Sequence, residues 1–384
     1  MAEPLSLTFA GGDLLQAGEM APGDLSIAAG RVSGTRGPIV DARGYLILPG
    51  IIDLHGDGFE RHLAPRRGAQ LNVADGLPAV EAELASSGIT TAMLAQFYSW
   101  EGGMRGPDFA RRVASAVAGF DTRMDLRLQL RVEIGLREAF GDILALIDHT
   151  RIGYVVLNDH LPHDKLAQGK RPPRLTGQAL KSGRSPEAHL ALMQRLSSEM
   201  PLAEAALPGF TEALAARGCR IGSHDDPTPE IRARYRALGA SIAEFPETRA
   251  AAEAAKAAGE PVIMGAPNVV RGNSHSGKVA ATELIDAGLV DALVSDYHYA
   301  AIHRAALRLW DAGMPLAQAW ALISSGPARI MGWTDRGRLL PGQRADLVVV
   351  DAQSRRIEAT ISAGHVTHLT GGFAARMVGA QRCG

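Results

Sequence analysis

The 384-residue chain has few cysteines, few aromatic residues and no excess of charge of either sign. Its two cysteines, Cys219 and Cys383, show no CxxC spacing, which argues against a disulfide framework, a zinc knuckle and a redox pair. The formal net charge of -1 excludes a globally basic nucleic-acid binder. No apolar run approaches the roughly 18 residues of a membrane span, and the N-terminus lacks a basic region followed by an apolar stretch. We therefore expect a cytoplasmic protein that binds neither a membrane nor nucleic acid.

The residues that are abundant indicate a folded chain with room for a large core. Hydrophobic residues make up 46% and charged residues 21%, which is typical of a globular protein rather than a disordered one. The chain has 12 His beside its 2 Cys. If it binds a metal ion, imidazole and carboxylate groups must supply the ligands.

The order of apolar and amphipathic segments predicts an α/β fold built on a TIM-like (β/α)8 barrel. Between residues 50 and 337, apolar runs alternate with amphipathic helical patterns, as expected for strands of a parallel sheet that are buried on both faces. The eight runs are YLILPGIIDLH, ITTAMLAQF, LRLQLRVEI, YVVLNDH, CRIGSHDD, SIAEFP, PVIMGAPN and DALVSDYH. Both chain ends are rich in β-strand patterns, so we expect residues 1–49 and 338–384 to form one small composite β-sandwich.

A basic segment follows the predicted fourth strand. From Lys165 to Arg184 the sequence contains six Lys and Arg residues, no acidic residue and no clear periodicity. We interpret it as a long loop. Two roles stay open for it: a lid over anionic groups, or a solvated surface.

Ionisable residues stand at the ends of five predicted strands, where a barrel of this type carries its reactive groups. These are Asp53-Leu54-His55-Gly56-Asp57, Arg131-Val132-Glu133, Asn158-Asp159-His160, Ser223-His224-Asp225-Asp226 and Ser295-Asp296-Tyr297-His298. Strand side chains alternate, so His55 and Asp57 point to the same side and can reach one ion. Imidazole and carboxylate ligands suit zinc, iron and manganese.

Each strand-end residue also has an ordinary structural interpretation. A lone His is commonly a hydrogen-bonded structural residue. Asp225 or Asp226, before Pro227, fits a helix N-cap. Glu133 could form a buried ion pair with Arg131 or Arg137. Five strand ends around one ring, taken together, still predict a metal site.

Motifs at these strand ends resemble the amidohydrolase superfamily of metal-dependent hydrolases. The resemblance rests on LPGIIDLHGD at Leu48 to Asp57, on the later SDYH, and on the ADLVVVD strand that follows the barrel. It implies a barrel with a small β-sandwich and one or two divalent ions, zinc first and manganese or iron as alternatives. It also implies that His55, Asp57 and Asp296 bind one ion.

The same resemblance implies ligands for a second ion. Glu133 would bridge the two ions, and His160 with His224 would bind the second. The superfamily usually takes this His pair from strands five and six, whereas here it comes from strands four and five. Glu244 on strand six is therefore a rival to His160.

Longer segments resemble one diphosphatase family of this superfamily, which acts in phosphonate metabolism. They are DLHGDGFERHLAPRRG, SHDDPTPE, EFPET and MGAPNVVRGNSHSGKVAATELIDAGLVDALVSDYHYA, within residues 45 to 350. The resemblance implies that a metal-activated water cleaves the α,β bond of α-D-ribose 1-methylphosphonate 5-triphosphate and releases pyrophosphate. Asp296 is the candidate general base and Glu133 a second catalytic residue. Gly56 and Gly58 depart from the family's DLHTDN-like pattern, which bears on substrate identity.

A polyphosphate substrate requires a basic site mouth despite the neutral total charge. The predicted βα loops supply the candidate substrate-binding residues Arg66, Arg67, Asn268, Arg271, His275 and Lys278. The segment from Gly272 to Gly277 could present backbone N–H groups to phosphate, although such a segment is also typical of an ordinary loop. The expected partner is a small anionic molecule, and homo-oligomer formation stays open.

Two other functions stay open at this point. Another enzyme of the superfamily, such as a deaminase, cyclic amidase or deacetylase, would use the same metal-activated water on a C–N bond, because a fold does not determine its substrate. A non-catalytic scaffold subunit would be expected to lack ligands, and all the candidate ligands are present.

Overall fold

The computed structural model describes residues 3–64, 66, 72–150, 152–272 and 277–380. Its strands, in chain order β1 to β16, are Leu7–Gln16, Glu19–Ala28, Arg31–Ser33, Ile39–Asp41, Tyr45–Pro49, Ile51–Gly56, Ile89–Tyr98, Asp125–Glu133, Tyr154–Asn158, Arg220–His224, Ile242–Glu244, Val262–Gly265, Ala292–Val294, Leu347–Asp351, Ile357–Ser362 and His365–Leu369. Its helices, in chain order α1 to α15, are Glu60–Leu63, Val73–Ser86, Pro107–Gly119, Phe140–Thr150, His163–Ala167, Leu175–Ser182, Pro186–Ala216, Pro229–Ala237, Arg249–Ala257, Ala266–Arg271, Ala281–Asp286, Ala301–Asp311, Leu316–Ala321, Ser325–Met331 and Gly371–Ala380.

The two chain ends share one mixed sheet, which confirms the predicted β-sandwich. Its order is β16-β15-β14-β5-β1-β2-β3, with β4 beside β1. Strand β14 pairs antiparallel with β5, so that Val349 lies opposite Ile47. The aromatic ring of Phe373 in α15 stacks on that of Phe9 at 5.9 Å between centroids, and both side chains are fully buried. The exact domain boundaries at residues 49 and 338 stay a prediction.

The second sheet is the predicted barrel. Its eight strands follow the order β13-β12-β11-β10-β9-β8-β7-β6. A parallel bridge between Gly56, at the end of β6, and Asp296, two residues after β13, joins the first and last strands. Every residue of β7, ITTAMLAQFY, is buried, as expected for a strand covered on both faces. The polar residues at the carboxyl ends of these strands are therefore held by a closed backbone.

The chain forms two compact units. The first comprises Met1–Leu94, Asp121–Arg127 and Ile263–Gly384, and the second comprises Ala95–Phe120 and Leu128–Val262. None of the helices in the described ranges combines the length and apolar character needed to cross a membrane.

The basic segment after β9 is not one long loop, so that prediction is wrong. It contains most of α5 and all of α6, and Leu175 and Ala179 are buried on one face of α6 at a spacing of four residues. Gly183 ends α6 in the left-handed conformation, with φ of 69°. Two helices of five and eight residues offer too few apolar positions for a periodic signal.

The predicted N-cap role for Asp225 or Asp226 is also wrong. Helix α8 begins two residues later, with Thr228 as N-cap accepting from Ile231 N, and Pro229 at the first helical position. Asp226 instead accepts from Ser223 Oγ at 2.6 Å and forms a buried ion pair with Arg232. Two prolines stand in this segment, and the sequence does not show which one begins the helix.

A buried ion pair in the first unit joins the start of β8 to the segment after α14. The Arg336 guanidinium, which is 7% exposed, bonds to Asp125 and Asp335 and donates to Thr91 Oγ1 at 3.0 Å. Burial alone would raise the pKa of Asp125, but hydrogen bonds and charges from Arg127 and Arg336 lower it from 3.8 to about 2. Since the folded pKa is depressed, this contribution to stability is complete above the unfolded pKa and is lost as pH falls from about 4 to about 2.

We expect Arg336→Met to lower the free energy of unfolding by about 2 to 3 kcal/mol, somewhat less than a typical broken buried pair because Arg127 still bonds to Asp125. The loss of stability between pH 4 and 2 should shrink in this variant. Urea unfolding across this pH range measures both effects, and Arg338→Met, at an exposed position nearby, is the control. An unchanged unfolding free energy in Arg336→Met would contradict the prediction.

Candidate metal centre

Three candidate ligands of the first unit are positioned by the strand bridge that closes the barrel. Asp57 N donates to Asp296 O and Asp296 N donates to His55 O, each at 2.9 Å. The side chains of His55, Asp57 and Asp296 offer one imidazole nitrogen and two carboxylate oxygens, all within 4.8 Å of one another. His55 is fully buried. The three residues that the sequence analysis expects to bind one ion therefore lie in one compact group.

The backbone next to the candidate ligands is strained. Asp296, Asp225 and Phe245 have φ of 55°, 60° and 51°, and they follow strands β13, β10 and β11 within two residues. A non-glycine residue in this left-handed region costs about 1 kcal/mol or more. The conformation of Asp296 is held by its two hydrogen bonds to the end of β6 and the residue after it.

A buried carboxylate, that of Asp53, bonds to residues next to this group. Asp53 is fully buried and accepts from Ser295 N at 3.0 Å, from Ser295 Oγ at 2.5 Å and from His55 N at 3.3 Å. Burial raises the pKa of Asp53, although the same hydrogen bonds oppose that shift. Asp53 thus joins β6 to the residue after β13, and both of its partners, His55 and Ser295, are candidate ligands or their chain neighbours.

The packing around Gly56 explains why this residue, which departs from the DLHTDN-like pattern, is a glycine. A Cβ at Gly56 would lie 2.5 Å from Tyr299 Cε1 and 2.8 Å from both Asp53 Oδ2 and Ser295 Oγ. Tyr299 is fully buried. The aromatic ring and the Asp53–Ser295 pair fill the space that a side chain at residue 56 would need.

Glu133 and His160, in the second unit, are bonded to each other. His160 Nδ1 bonds to Glu133 Oε1, and Glu133 Oε2 accepts from His160 N at 3.1 Å and from Trp100 Nε1 at 3.2 Å. Burial would lower the pKa of His160, but the Glu133 carboxylate raises it above its ordinary value. In the described part of the chain Glu133 forms no ion pair with Arg131 or Arg137, so that interpretation is wrong. Neither Glu133 nor His160 belongs to a group of three potential ligands among the described residues.

His224 lies beside an arginine. Arg131 Nη2 is 3.0 Å from His224 Nε2 and donates to Asn158 Oδ1 at 3.1 Å. One ligand atom of His224 also lies within 4.8 Å of a carboxylate oxygen of Glu244. Glu244 is fully buried, and its Oε1 accepts from Tyr154 Oη at 2.6 Å and from Gln129 Nε2 at 2.7 Å. Glu244, which the sequence analysis named as an alternative to His160 for binding a second ion, thus lies beside His224.

A cavity of about 350 Å³ opens beside these side chains within the second unit. Its Asp, Glu, Arg and His lining comprises Asp159, His160, His224, Asp225, Arg234 and Glu247. Carboxylates outnumber the single Arg, whose Nη2 is already 2.8 Å from Glu204. This cavity therefore favours hydroxyl or amino groups over phosphate.

Basic residues gather instead around Tyr297 in the first unit. The Arg271 guanidinium lies 5.3 Å from the centroid of the Tyr297 ring, and Arg61 Nη1 donates to Tyr297 O at 3.1 Å. Tyr297 is 41% exposed and directly follows Asp296 in the chain. Arg61 lies within the DLHGDGFERHLAPRRG segment but was not predicted to bind substrate, because only the fold brings it to residue 297.

The other predicted substrate-binding residues have varied positions. Arg66 is exposed, Lys278 is half-buried, and Asn268 Oδ1 in α10 accepts from Ala281 N at 3.1 Å. The side-chain oxygen of Asn268 thus caps the start of α11. Arg67, His275 and most of the predicted Gly272–Gly277 anion site lie outside the described residues.

Two sequence comparisons identify the family, and solved structures share the fold. The profile of the amidohydrolase family matches residues 181–368. The α-D-ribose 1-methylphosphonate 5-triphosphate diphosphatase of Escherichia coli (strain K12) is 33% identical over 372 residues, which cover 91% of this chain and 95% of the relative. A putative prolidase from Bifidobacterium longum has a TM-score of 0.60 at 15% identity, covering 99% of this chain and all of the other. The β-aspartyl dipeptidase of Fervidobacterium islandicum has a TM-score of 0.53 at 16% identity, covering 95% and 97%. These two solved structures support the fold alone.

We expect Gly56→Ala to destabilise the protein by about 1 to 3 kcal/mol, because its methyl group would collide with Tyr299, Asp53 and Ser295. The affinity for zinc should fall as well, because the backbone movement that relieves this collision would displace the neighbouring residues His55 and Asp57. Thermal unfolding and zinc titration of the full chain measure the two effects. Gly141→Ala, in α4 with open space around it, is the matched control and should be neutral or stabilising. Wild-type zinc affinity in Gly56→Ala would contradict this account of the site.

Proposed function

The chain belongs to the amidohydrolase family, and from that premise we propose that it hydrolyses α-D-ribose 1-methylphosphonate 5-triphosphate at the α,β phosphoanhydride, giving the 5-phosphate and pyrophosphate. It is a metal-dependent hydrolase. The observation that carries the proposal is the group of His55, Asp57 and Asp296, held by the bridge that closes the barrel. The similarity to the E. coli diphosphatase, which extends over nearly all of both chains, supports the choice of substrate.

The donor set of this group fits a divalent ion. One imidazole nitrogen and two carboxylate oxygens within 4.8 Å of one another suit zinc, with manganese and iron as alternatives, and we propose zinc. When bound, such an ion lowers the pKa of a water molecule and stabilises negative charge on phosphate oxygens. His55 and Asp57 would bind it from β6 and the residue that follows.

Asp296 has a second proposed role, as general base. Its carboxylate would accept the proton that the attacking water loses as the new P–O bond forms. The backbone of Asp296 is fixed by hydrogen bonds to His55 and from Asp57, so its carboxylate needs little reorganisation during the reaction.

The phosphate chain would bind at the basic residues near Tyr297. Arg271 lies over the Tyr297 ring, and with Lys278 it would neutralise charge as pyrophosphate leaves, whereas the charge of Arg61 is shared with Glu83. Because so highly charged a substrate does not cross a membrane unaided, we place the reaction in the cytoplasm.

Hydrolysis of a C–N bond is the second candidate function. Three carboxylates, Asp159, Asp225 and Glu247, line the cavity of about 350 Å³ and would also suit an amino group. The solved structures named as a putative prolidase and a β-aspartyl dipeptidase share the fold.

A substrate panel separates the two candidates. We expect the zinc-loaded chain to release pyrophosphate from ribose 1-methylphosphonate 5-triphosphate, and to do so more slowly from ordinary nucleoside triphosphates. Xaa-Pro and β-aspartyl dipeptides should not be cleaved. Dipeptide cleavage without pyrophosphate release would favour the second candidate and overturn the first.

Asp296→Asn should lower kcat by about 10² to 10⁴-fold, because the amide cannot accept a proton. The fold should be kept, since the backbone bridge at residue 296 does not involve the side chain. Metal content and circular dichroism are measured beside kcat, and Asp311→Asn, exposed at the end of α12, is the control. Near-normal kcat with a normal metal content would remove Asp296 from the mechanism.

A further inference from the structure

A buried tyrosine next to the candidate centre has no role in the proposed function. Tyr299 follows Asp296 by three residues and is the second tyrosine of the segment SDYHY. Its side chain is fully buried, and its hydroxyl has no hydrogen-bond partner within the described part of the chain. A phenylalanine would fill the same space without leaving a buried polar group unpaired, so the hydroxyl of Tyr299 requires an explanation.

The ring of Tyr299 lies against the chain segment that carries Asp57. A Cβ added at Gly56 would lie 2.5 Å from Tyr299 Cε1, and a Cβ added at Gly58 would lie 3.3 Å from Tyr299 Cε2. These two ring carbons flank the carbon that bears the hydroxyl, so it is the phenol end of the ring that reaches this segment. One ring therefore accounts for part of the crowding at both glycines that depart from the DLHTDN-like pattern, one on each side of Asp57.

Negative charges lie near the Tyr299 hydroxyl. Burial raises the pKa of Tyr299 well above its ordinary value, and the charges of Asp53 and Asp57 raise it further, while Arg61 acts in the opposite direction. The Arg61 guanidinium carbon lies 5.7 Å from the centroid of the Tyr299 ring, but its charge is shared with Glu83. The hydroxyl is therefore protonated and can donate a hydrogen bond to a carboxylate.

The two nearby carboxylates of β6 and its end differ in how far they are already bonded. Asp53 accepts three hydrogen bonds, two from Ser295 and one from His55 N. No residue in the described ranges donates a hydrogen bond to the side chain of Asp57, which is half-buried. Asp57 is thus the carboxylate with the larger remaining capacity to accept.

We propose that Tyr299 is a positioning residue of the candidate metal centre, whose ring supports the segment from Gly56 to Gly58 and whose hydroxyl donates a hydrogen bond that orients the Asp57 carboxylate toward the ion. This inference rests on the proposed function, because the ion at His55, Asp57 and Asp296 belongs to that proposal. Hydrogen bonds to a ligating side chain fix its orientation and strengthen metal binding. A glycine on each side gives Asp57 a flexible backbone, so such support has a large effect there.

Tyr299→Phe tests the hydroxyl, because this change removes one oxygen atom and keeps the ring. The full-length chain is stripped of metal and titrated with zinc in a calorimeter. We expect the affinity for zinc to fall about 10- to 100-fold. The metal-free variant should unfold at the same temperature as the unmodified chain or at a higher one, because an unpaired buried hydroxyl has been removed. Unmodified zinc affinity in Tyr299→Phe would overturn the inference.

Tyr45→Phe is the matched control. Tyr45, in the sheet formed by the chain ends, is also buried, but its hydroxyl donates to Glu358 Oε2 at 2.9 Å. The control should therefore unfold at a lower temperature and bind zinc with unchanged affinity, which is the reverse of the pattern expected for Tyr299→Phe. A fall in zinc affinity of similar size in both variants would show a general effect on folding and would contradict the role given to Tyr299.

Cobalt(II) in place of zinc reports the arrangement of the ligands. We expect the visible absorption spectrum of the cobalt-loaded chain to change in Tyr299→Phe and to stay the same in Tyr45→Phe. An unchanged spectrum in Tyr299→Phe would contradict the orienting role of the hydroxyl.

Tyr299→Leu removes the ring as well as the hydroxyl, so its affinity for zinc should fall further than that of Tyr299→Phe. Circular dichroism checks the fold of each variant, and equal affinities in the two folded variants would remove the role given to the ring. If Tyr299→Leu does not fold, Tyr299→Phe still decides the role of the hydroxyl.

The same measurements separate this inference from the proposed function. Zinc binding and pyrophosphate release by the unmodified chain, together with normal zinc affinity in Tyr299→Phe, would remove only the inference. An unmodified chain that neither binds zinc nor releases pyrophosphate would remove both.

Discussion

The bridge between Gly56 and Asp296 is the interaction on which the candidate centre depends. It closes the barrel, and its two backbone hydrogen bonds hold residues 55, 57 and 296 in one register. Asp296 adopts a left-handed backbone there, which an isolated chain would avoid. The free energy of closing the sheet therefore maintains a strained conformation that brings three metal-binding side chains together.

The charges of the molecule are separated locally although they cancel overall. Carboxylates line the candidate centre and the cavity of the second unit, while Arg61 and Arg271 gather at Tyr297. A net charge of -1 therefore excluded a general polyanion binder but not a local site for phosphates. In the protein interior, the positively charged guanidinium of Arg131 lies 3.0 Å from His224 Nε2.

Some features could be predicted because they depend on short-range pattern. Alternation along a strand places His55 and Asp57 on one side, and apolar runs that alternate with amphipathic segments predict the barrel. Other features could not. The two helices of the basic segment are too short for a periodic signal, and the N-cap at Thr228 depends on which of two prolines begins α8. The bonds of Glu133 to His160 and Trp100 connect different strands and loops, so no spacing in the sequence reveals them.

The sequence by itself determined the fold class, the family and the residue types of the candidate centre, because strand periodicity and motif spacing are local properties of the chain. Tertiary structure decided which of those residues meet. Closure of the barrel brings Asp296 to His55 and Asp57 across more than two hundred residues. Packing of Tyr299 leaves no room for a side chain at residue 56. The buried Arg131 guanidinium lies beside the His224 ring. These outcomes depend on contacts between distant segments, which only the folded chain brings within bonding distance.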